Sequence, residues 1–310
     1  MKKMKKALFA LGFILFVPYF VVTVFVKTKE DDVIQFEFAK NQMVRVKRDK
    51  TGQIENVPLE DYVCGVLSGE MPVSFELEAL KAQAVAARSY VLKKIEQNRN
   101  QEFDVVDTVA NQVYLSDSEL KEKWKTDYTE KINKLKTAVL ETQGQYIAYN
   151  GQVAEAFFFS TSTGKTENCS EVFVQDLPYL RSVDSSWDQD VSPVFNTTSD
   201  LSLSDFYTKL NLPYQDKIQV EITNATSTGR VKELKINGKK LKATDLTSAF
   251  KLRSTFFTIE QTGSNIHFNV KGYGHGVGMS QYGALAMAKK GYHYNDILTY
   301  YYQGVQIQKI

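Results

Sequence analysis

Leu67-Ser68-Gly69-Glu70-Met71-Pro72-Val73-Ser74 runs directly into Phe75-Glu76-Leu77-Glu78-Ala79-Leu80-Lys81-Ala82-Gln83-Ala84-Val85-Ala86-Ala87-Arg88. The second half reads as a helix. Leu80, Ala84, Ala87, Val91 and Ile95 recur at helical spacing and Ser74 stands where an N-cap is expected. Glu76 and Glu78 fall in the first turn, where the helix dipole favours negative charge. The first half is punctuated by Gly69 and Pro72, so Glu70 is expected in an elbow before the helix, its side chain held by a restricted backbone. A carboxyl beside Leu67 and Met71 should titrate above the ordinary carboxylate range, as a general acid near neutral pH must. Lys81 and Arg88 share a helix face and flank the apolar stripe, where they either bind a polar substrate or pair with carboxylates such as Glu78.

Outward from this helix the chain turns to strands. Val33 to Arg48 alternates through Ile34, Phe36 and Phe38 and ends in a turn at Asp49 to Gly52. Asp117 to Thr142 reads as a second, highly charged helix stopped by Gly144. Tyr146 to Phe159 reads as a hairpin turning at Asn150-Gly151, and Ile218 to Lys251 holds another at Asn237-Gly238. Ser254 to Val270 gives two more strands, and Ser280 to Lys290 a short Ala-rich helix closed by Gly291. Helices early and strands late, with no internal repeat, predict an α+β fold built of helices and β-hairpins around a cleft.

The N-terminus carries an address. Four lysines lie within Met1 to Lys6, and Ala7 to Val26 then runs 20 residues without a charge. Such a helix is roughly 30 Å long, the thickness of a bilayer core. The run ends Val24-Phe25-Val26-Lys27, without the small-residue site of a cleaved signal peptide, so it is read as an anchor. The lysines place residues 1–6 in the cytoplasm and a domain over residues 33–310 outside. A net charge of +2, from 38 basic and 36 acidic residues, offers no footprint for a nucleic acid. Cys64 and Cys169 are the two cysteines, which allows one bridge at most and excludes a disulfide framework; Cys64 is read as a small buried residue.

Two further segments carry candidate chemistry. Ser160-Thr161-Ser162-Thr163-Gly164-Lys165-Thr166 ends like a phosphate loop, but Phe159 occupies the position of that loop's first glycine. Its hydroxyls suit hydrogen bonding to sugars, or an ordinary turn. Gly272-Tyr273-Gly274-His275-Gly276-Val277-Gly278-Met279-Ser280-Gln281-Tyr282-Gly283 holds five glycines in twelve residues, implying positive φ or close backbone approach around His275. His267 and His293 have no ligand spacing and are read as structural.

Taken together and in order, these segments resemble the stage II sporulation protein D family and its relatives, the amidase enhancers. The resemblance rests on Val57-Pro58-Leu59-Glu60-Asp61-Tyr62-Val63, Ser68 to Pro72, Glu78 to Arg88, Ser160-Thr161-Ser162, Pro178-Tyr179-Leu180-Arg181-Ser182-Val183 and Gly274 to Gln281. It implies a lytic transglycosylase that cuts between N-acetylmuramic acid and N-acetylglucosamine in peptidoglycan strands during sporulation and engulfment, at the septal membrane. Glu70 falls on the catalytic glutamate, and Lys81 and Arg88 on substrate-cleft cations. Ser160, Thr161, Ser162, His275 and Gln281 fall on the cleft walls. The resemblance also implies an amidase partner, which strips stem peptides, and an engulfment complex. Some members hold zinc near a Gln-Val-Tyr segment, but Phe103 to Tyr114 has neither Cys nor His, so no metal or other cofactor is expected. The competing expectation is a wall-binding amidase enhancer without turnover.

Overall fold

A computed structural model describes residues 42–310; the anchor read over Ala7–Val26 and the strand before residue 42 lie outside the described residues. Met43–Lys47 (β1) pairs antiparallel with Ile54–Pro58 (β2). Pro58 then opens Leu59–Glu70 (α1), with Glu60 and Asp61 in the first turn. The elbow expected around Glu70 is therefore the last turn of a helix. Leu59, Tyr62, Val63, Val66 and Leu67 are buried at helical spacing. Their burial outweighs the propensity cost of Gly65 and Gly69, about 1 kcal/mol each in a helix interior.

The next helix is Leu77–Gln97 (α2), preceded by Glu76 and without a side-chain cap. Ser74 does not cap it, because Phe75 turns back first. Its N–H reaches the Pro72 carbonyl at 3.0 Å, and its ring packs edge-on to Tyr282 at 5.0 Å. The apolar stripe is present in α2, yet Ala79 to Val91 is buried on nearly every face, Arg88 included. Alanines at 79, 82, 84, 86 and 87 keep the helix thin enough to be enclosed. Val105–Val106 (β3) adds a parallel partner to β1. The charged helix breaks in two, Asp117–Trp124 (α3) and Tyr128–Glu141 (α4), at Lys125, whose φ is +49°. The break lets Trp124 and Tyr128 both face the core.

The hairpin at Asn150-Gly151 is present as Gln145–Tyr149 (β4) and Gln152–Val153 (β5). Beyond it only Phe158–Phe159 (β6) is strand. Two single-turn helices follow, Cys169–Val172 (α5) and Asp188–Val191 (α6). Asn196–Ser202 (β7), Leu203–Lys209 (α7), Val220–Ala225 (β8), Val231–Ile236 (β9), Lys239–Lys242 (β10), Ala243–Phe250 (α8), Phe257–Thr262 (β11) and Asn265–Lys271 (β12) form a separate lobe. The hairpins expected at Asn237-Gly238 and within Ser254 to Val270 are both in it. Its two three-stranded sheets, ordered β10-β9-β8 and β11-β12-β7, enclose Phe206, Phe250, Phe268, Leu234 and Ile236. This core is distinct from the main one. The lobe is an insertion: the Gly272 N–H closes on the Phe195 carbonyl at 2.9 Å, so the chain leaves and returns at one point.

After it, Met279–Ser280 (β13) pairs parallel with β6, and Gln281–Lys289 (α9) starts from the Ser280 cap. Tyr294–Tyr301 (α10) and Gln306–Lys309 (β14) complete the chain, β14 pairing with β4. Helices α1, α4, α9 and α10 surround α2, which centres the main core.

Candidate active site

A groove of about 630 Å³ runs between the end of α1 and the glycine loop after β12. Glu70 lines it with Pro72, Tyr90, Asn111 and Val113, and Phe157 to Ser160, Phe173, Tyr273 to His275, Gln281 and Tyr282 line it as well. Helix α1 delivers Glu70 because two of its residues lack side chains. A Cβ on Gly69 would lie 2.4 Å from the Val113 carbonyl oxygen, and one on Gly65 2.6 Å from that of Leu115. The extended segment Val113–Leu115 thus lies directly on α1. Its Val113 N–H donates to Glu70 Oε1 at 2.6 Å. Asn111, on the same segment, donates to the Tyr90 hydroxyl at 3.1 Å, and Gln112 accepts from Tyr62 at 3.1 Å.

Burial pushes the Glu70 carboxyl above the usual carboxylate range, and the Val113 N–H opposes this only in part. Its place at a helix C-terminus, the negative end of the dipole, acts in the same direction. The rise expected from the sequence is present, and burial is its main cause. Glu70 is the groove's one carboxylate among the described residues, and it makes no ion pair there. Its Oε1 is occupied by Val113, which leaves Oε2 to carry a proton.

The glycine-loop reading is sound, with a clear physical cause. Gly272, Gly274, Gly276 and Gly278 all have positive φ. A Cβ on Gly278 would lie 2.0 Å from the Phe157 carbonyl oxygen, so the loop lies flat against the chain's own strand. His275 is half-buried among Phe157, Phe159 and Phe173, with ring centroids 5.3–6.1 Å away. Its Nδ1 accepts from the Val277 N–H at 3.1 Å. Burial, reinforced by the Arg230 charge, pulls its pKa down to about 4. His275 is thus a neutral groove wall.

The remaining expected site residues divide. Ser160 and Gln281 line the groove with His275 and Glu70. Thr161 and Ser162 are fully buried behind it. Thr161 Oγ1 shares a hydrogen bond with Ser192 at 2.8 Å, and the Ser162 N–H reaches Asp188 at 2.7 Å. They brace the wall rather than form its surface. Lys81 and Arg88 are elsewhere. Lys81 Nζ lies 2.6 Å from Glu78, also pairs with Glu141, and approaches the Tyr294 ring. Arg88 has no exposed surface, donates from Nε to Glu60 at 2.9 Å, and donates from Nη1 to the Gln145 carbonyl at 2.9 Å. Because α2 is enclosed, these two cations meet neighbouring groups: Arg88 meets α1 and β4, and Lys81 meets Glu78, α4 and the start of α10. Cys64 and Cys169 are both buried and free, and no cluster of three His, Cys, Asp or Glu side chains suited to a metal occurs among the described residues.

Comparison with known proteins agrees with these two bodies. Residues 47–149, which include α1, α2 and the Val113 segment, match the family described as Stage II sporulation protein. Residues 186–278, the inserted lobe with part of the glycine loop, match a domain of unknown function. The chain thus carries a domain of the family of sporulation proteins named by the first of these descriptions. It belongs to the stage II sporulation protein D family: it is 43% identical over 271 residues to Stage II sporulation protein D of Bacillus subtilis (strain 168), covering 86% of this chain and 79% of that protein. Identity to the Bacillus amyloliquefaciens protein of the same name is 44% over 272 residues, covering 86% of this chain and 78% of that protein. The Amidase enhancer of Bacillus subtilis is 32% identical over 298 residues, covering 78% of this chain and 40% of that protein.

Proposed function

We propose that this protein is a peptidoglycan lytic transglycosylase held on the outer face of the cell membrane, with Glu70 as its acid and base. The observation that carries the reading is a single carboxyl in an aromatic-lined groove, pushed above its usual range by burial. Most glycosidases need two carboxyl groups. A lytic transglycosylase needs one, because the muramic sugar supplies its own nucleophile. Protonated Glu70 Oε2 gives its proton to the glycosidic oxygen; the bond from that oxygen to the muramic anomeric carbon breaks, and the oxygen departs as a hydroxyl. The sugar's 6-hydroxyl bonds to the anomeric carbon and returns its proton to the Glu70 carboxylate. The enzyme is regenerated and a 1,6-anhydro ring closes, with the entropic advantage of a tethered nucleophile.

Aromatic walls at Phe157, Phe159, Tyr273 and Tyr282 suit the flat faces of sugar rings, and Ser160 and Gln281 add hydrogen bonds. In this reading the substrate is the peptide-stripped glycan strand, an amidase is the partner that prepares it, and engulfment is the setting. The likeness to an amidase enhancer favours one rival, a groove that binds strands without cutting them. Incubating the full chain and Glu70→Gln with peptide-free strands separates the two. Strand shortening by the wild-type chain alone supports the enzyme; intact strands with both, despite binding, support the enhancer.

A further inference from the structure

We propose that Arg253 is a specificity-determining residue that binds a free carboxylate on the glycan lying in the Glu70 groove; the identity of the glycan rests on the function proposed above. Arg45, Arg48, Arg88, Arg181 and Arg230 are each paired with a carboxylate, and Arg99 is exposed beyond the end of α2. Arg253 is exposed and makes no ion pair among the described residues, yet its position is fixed. Its carbonyl accepts the Gly274 N–H at 2.9 Å, which straps it to the glycine loop. Its guanidinium lies over the Tyr273 ring, 5.2 Å from the centroid, and its charge reaches the Tyr282 phenol. Tyr273 is 46% exposed and lines the groove, as Tyr282 does. Tyr273 is itself locked, because its backbone exchanges hydrogen bonds with Thr161 at 3.0 and 2.8 Å.

The geometry offers a stacked guanidinium with unused donors at the rim of a groove whose one acid among the described residues is Glu70. Planar arginine forks match carboxylates, and stacking on an aromatic ring holds the fork in place. The cleft beside it, which shares Gly274 and His275 with the groove, is lined by Arg253, Lys232 and Lys242 against one carboxylate among the described residues, Glu171. Arg230 there is neutralised by Glu167, so cations outnumber acids at this end and favour an anion. Each muramic sugar carries a lactyl group. Its carboxyl is an uncharged amide where a stem peptide is attached and a carboxylate where the peptide has been removed. A groove that places a muramic residue over Tyr273 therefore reads this difference through Arg253. The inserted lobe, which contributes Arg253, thereby takes part in substrate choice.

The test compares two strands: peptide-free glycan with its lactyl carboxylates, and the same glycan with those groups reduced to alcohols. Binding of the full chain carrying Glu70→Gln is measured at fixed ionic strength, with and without Arg253→Ala or Arg253→Lys. A charge-assisted hydrogen bond at a partly exposed site predicts a preference of about tenfold for the carboxylate strand. That preference should vanish with Arg253→Ala and survive in part with Arg253→Lys, while the melting temperature stays unchanged because the side chain is exposed. An Arg253→Ala chain that keeps the preference overturns the proposal, as does a chain with Arg253 intact that binds both strands equally. Since binding is read rather than turnover, the result stands whether or not the wild-type chain cleaves.

Discussion

At the scale of the residue, the chemistry turns on a carboxyl whose pKa is raised by its surroundings. Glu70 is half-buried at the end of a helix and its pKa is raised. A group whose folded pKa exceeds its unfolded value contributes stability in full below the unfolded pKa, about 4.3 for Glu, and loses it as pH rises through the folded value. At neutral pH the ionised wild-type side chain therefore costs stability that Glu70→Gln does not. Melting temperatures at pH 7 should be equal or higher for Glu70→Gln, with the gap closing in acid; a lower value at pH 7 would mean that the carboxylate is favoured in the fold. The same raised pKa should set the upper limb of the pH–rate profile, because the acid must hold its proton. A limb at an ordinary carboxylate position would contradict this. Arg88 makes the opposite case. Its guanidinium is fully buried against Glu60, so Arg88→Ala leaves a buried carboxylate without its counter-charge, held only by the Gly144 N–H among the described residues. Removing one member of such a pair costs about 3–5 kcal/mol. Chemical denaturation should show that loss; an Arg88→Ala chain of wild-type stability would restore a surface role.

At the scale of the element, α1 shows what the sequence conceals. Leu59, Tyr62, Val63, Val66 and Leu67 have helical spacing and follow a proline, yet Gly65 and Gly69 make the stretch read as broken. The two glycines are better read as a pair. Four apart, they clear one face of a helix for Val113–Leu115, and that contact brings Val113 to Glu70. Nothing local to Val113 announces this role; it depends on a partner more than forty positions away. Hairpins were legible because Asn-Gly turns are decided locally, at Asn150-Gly151 and Asn237-Gly238. The pairing of Lys81 with Glu78 was legible as one of two alternatives, but the enclosure of Arg88 was not, because spacing along α2 gives a shared face without saying what covers it. Gly69→Ala tests the element directly. Its Cβ would press on the backbone of Val113, and overpacking of this kind costs typically 1–3 kcal/mol. Turnover should fall further than stability alone explains, since the Val113 N–H moves off Glu70. Full activity in a Gly69→Ala chain would show that the Val113 contact is dispensable.

At the scale of the whole molecule, two cores meet at one buried ion pair. Arg230 of the inserted lobe lies 3.2 Å from Glu167 of the main body, both nearly without exposed surface, and donates to the Gly274 carbonyl at 2.8 Å. Arg230→Met should destabilise the fold by about 3–5 kcal/mol, because Glu167 is then buried without its partner. Adding Glu167→Gln should recover most of the loss in chemical denaturation; additive losses would mean that the two residues do not act as a pair. The groove lies where the lobe's loop returns to the main body, so its geometry depends on both cores. The central claim remains that one carboxyl cuts the glycan by turning the sugar's hydroxyl on itself. Mass spectrometry of peptide-free strands digested in heavy-oxygen water reads this most directly. The account predicts fragments with anhydromuramic ends, lighter by one water than hydrolysis products, carrying no label and absent with Glu70→Gln; reducing ends that carry the heavy oxygen would contradict it.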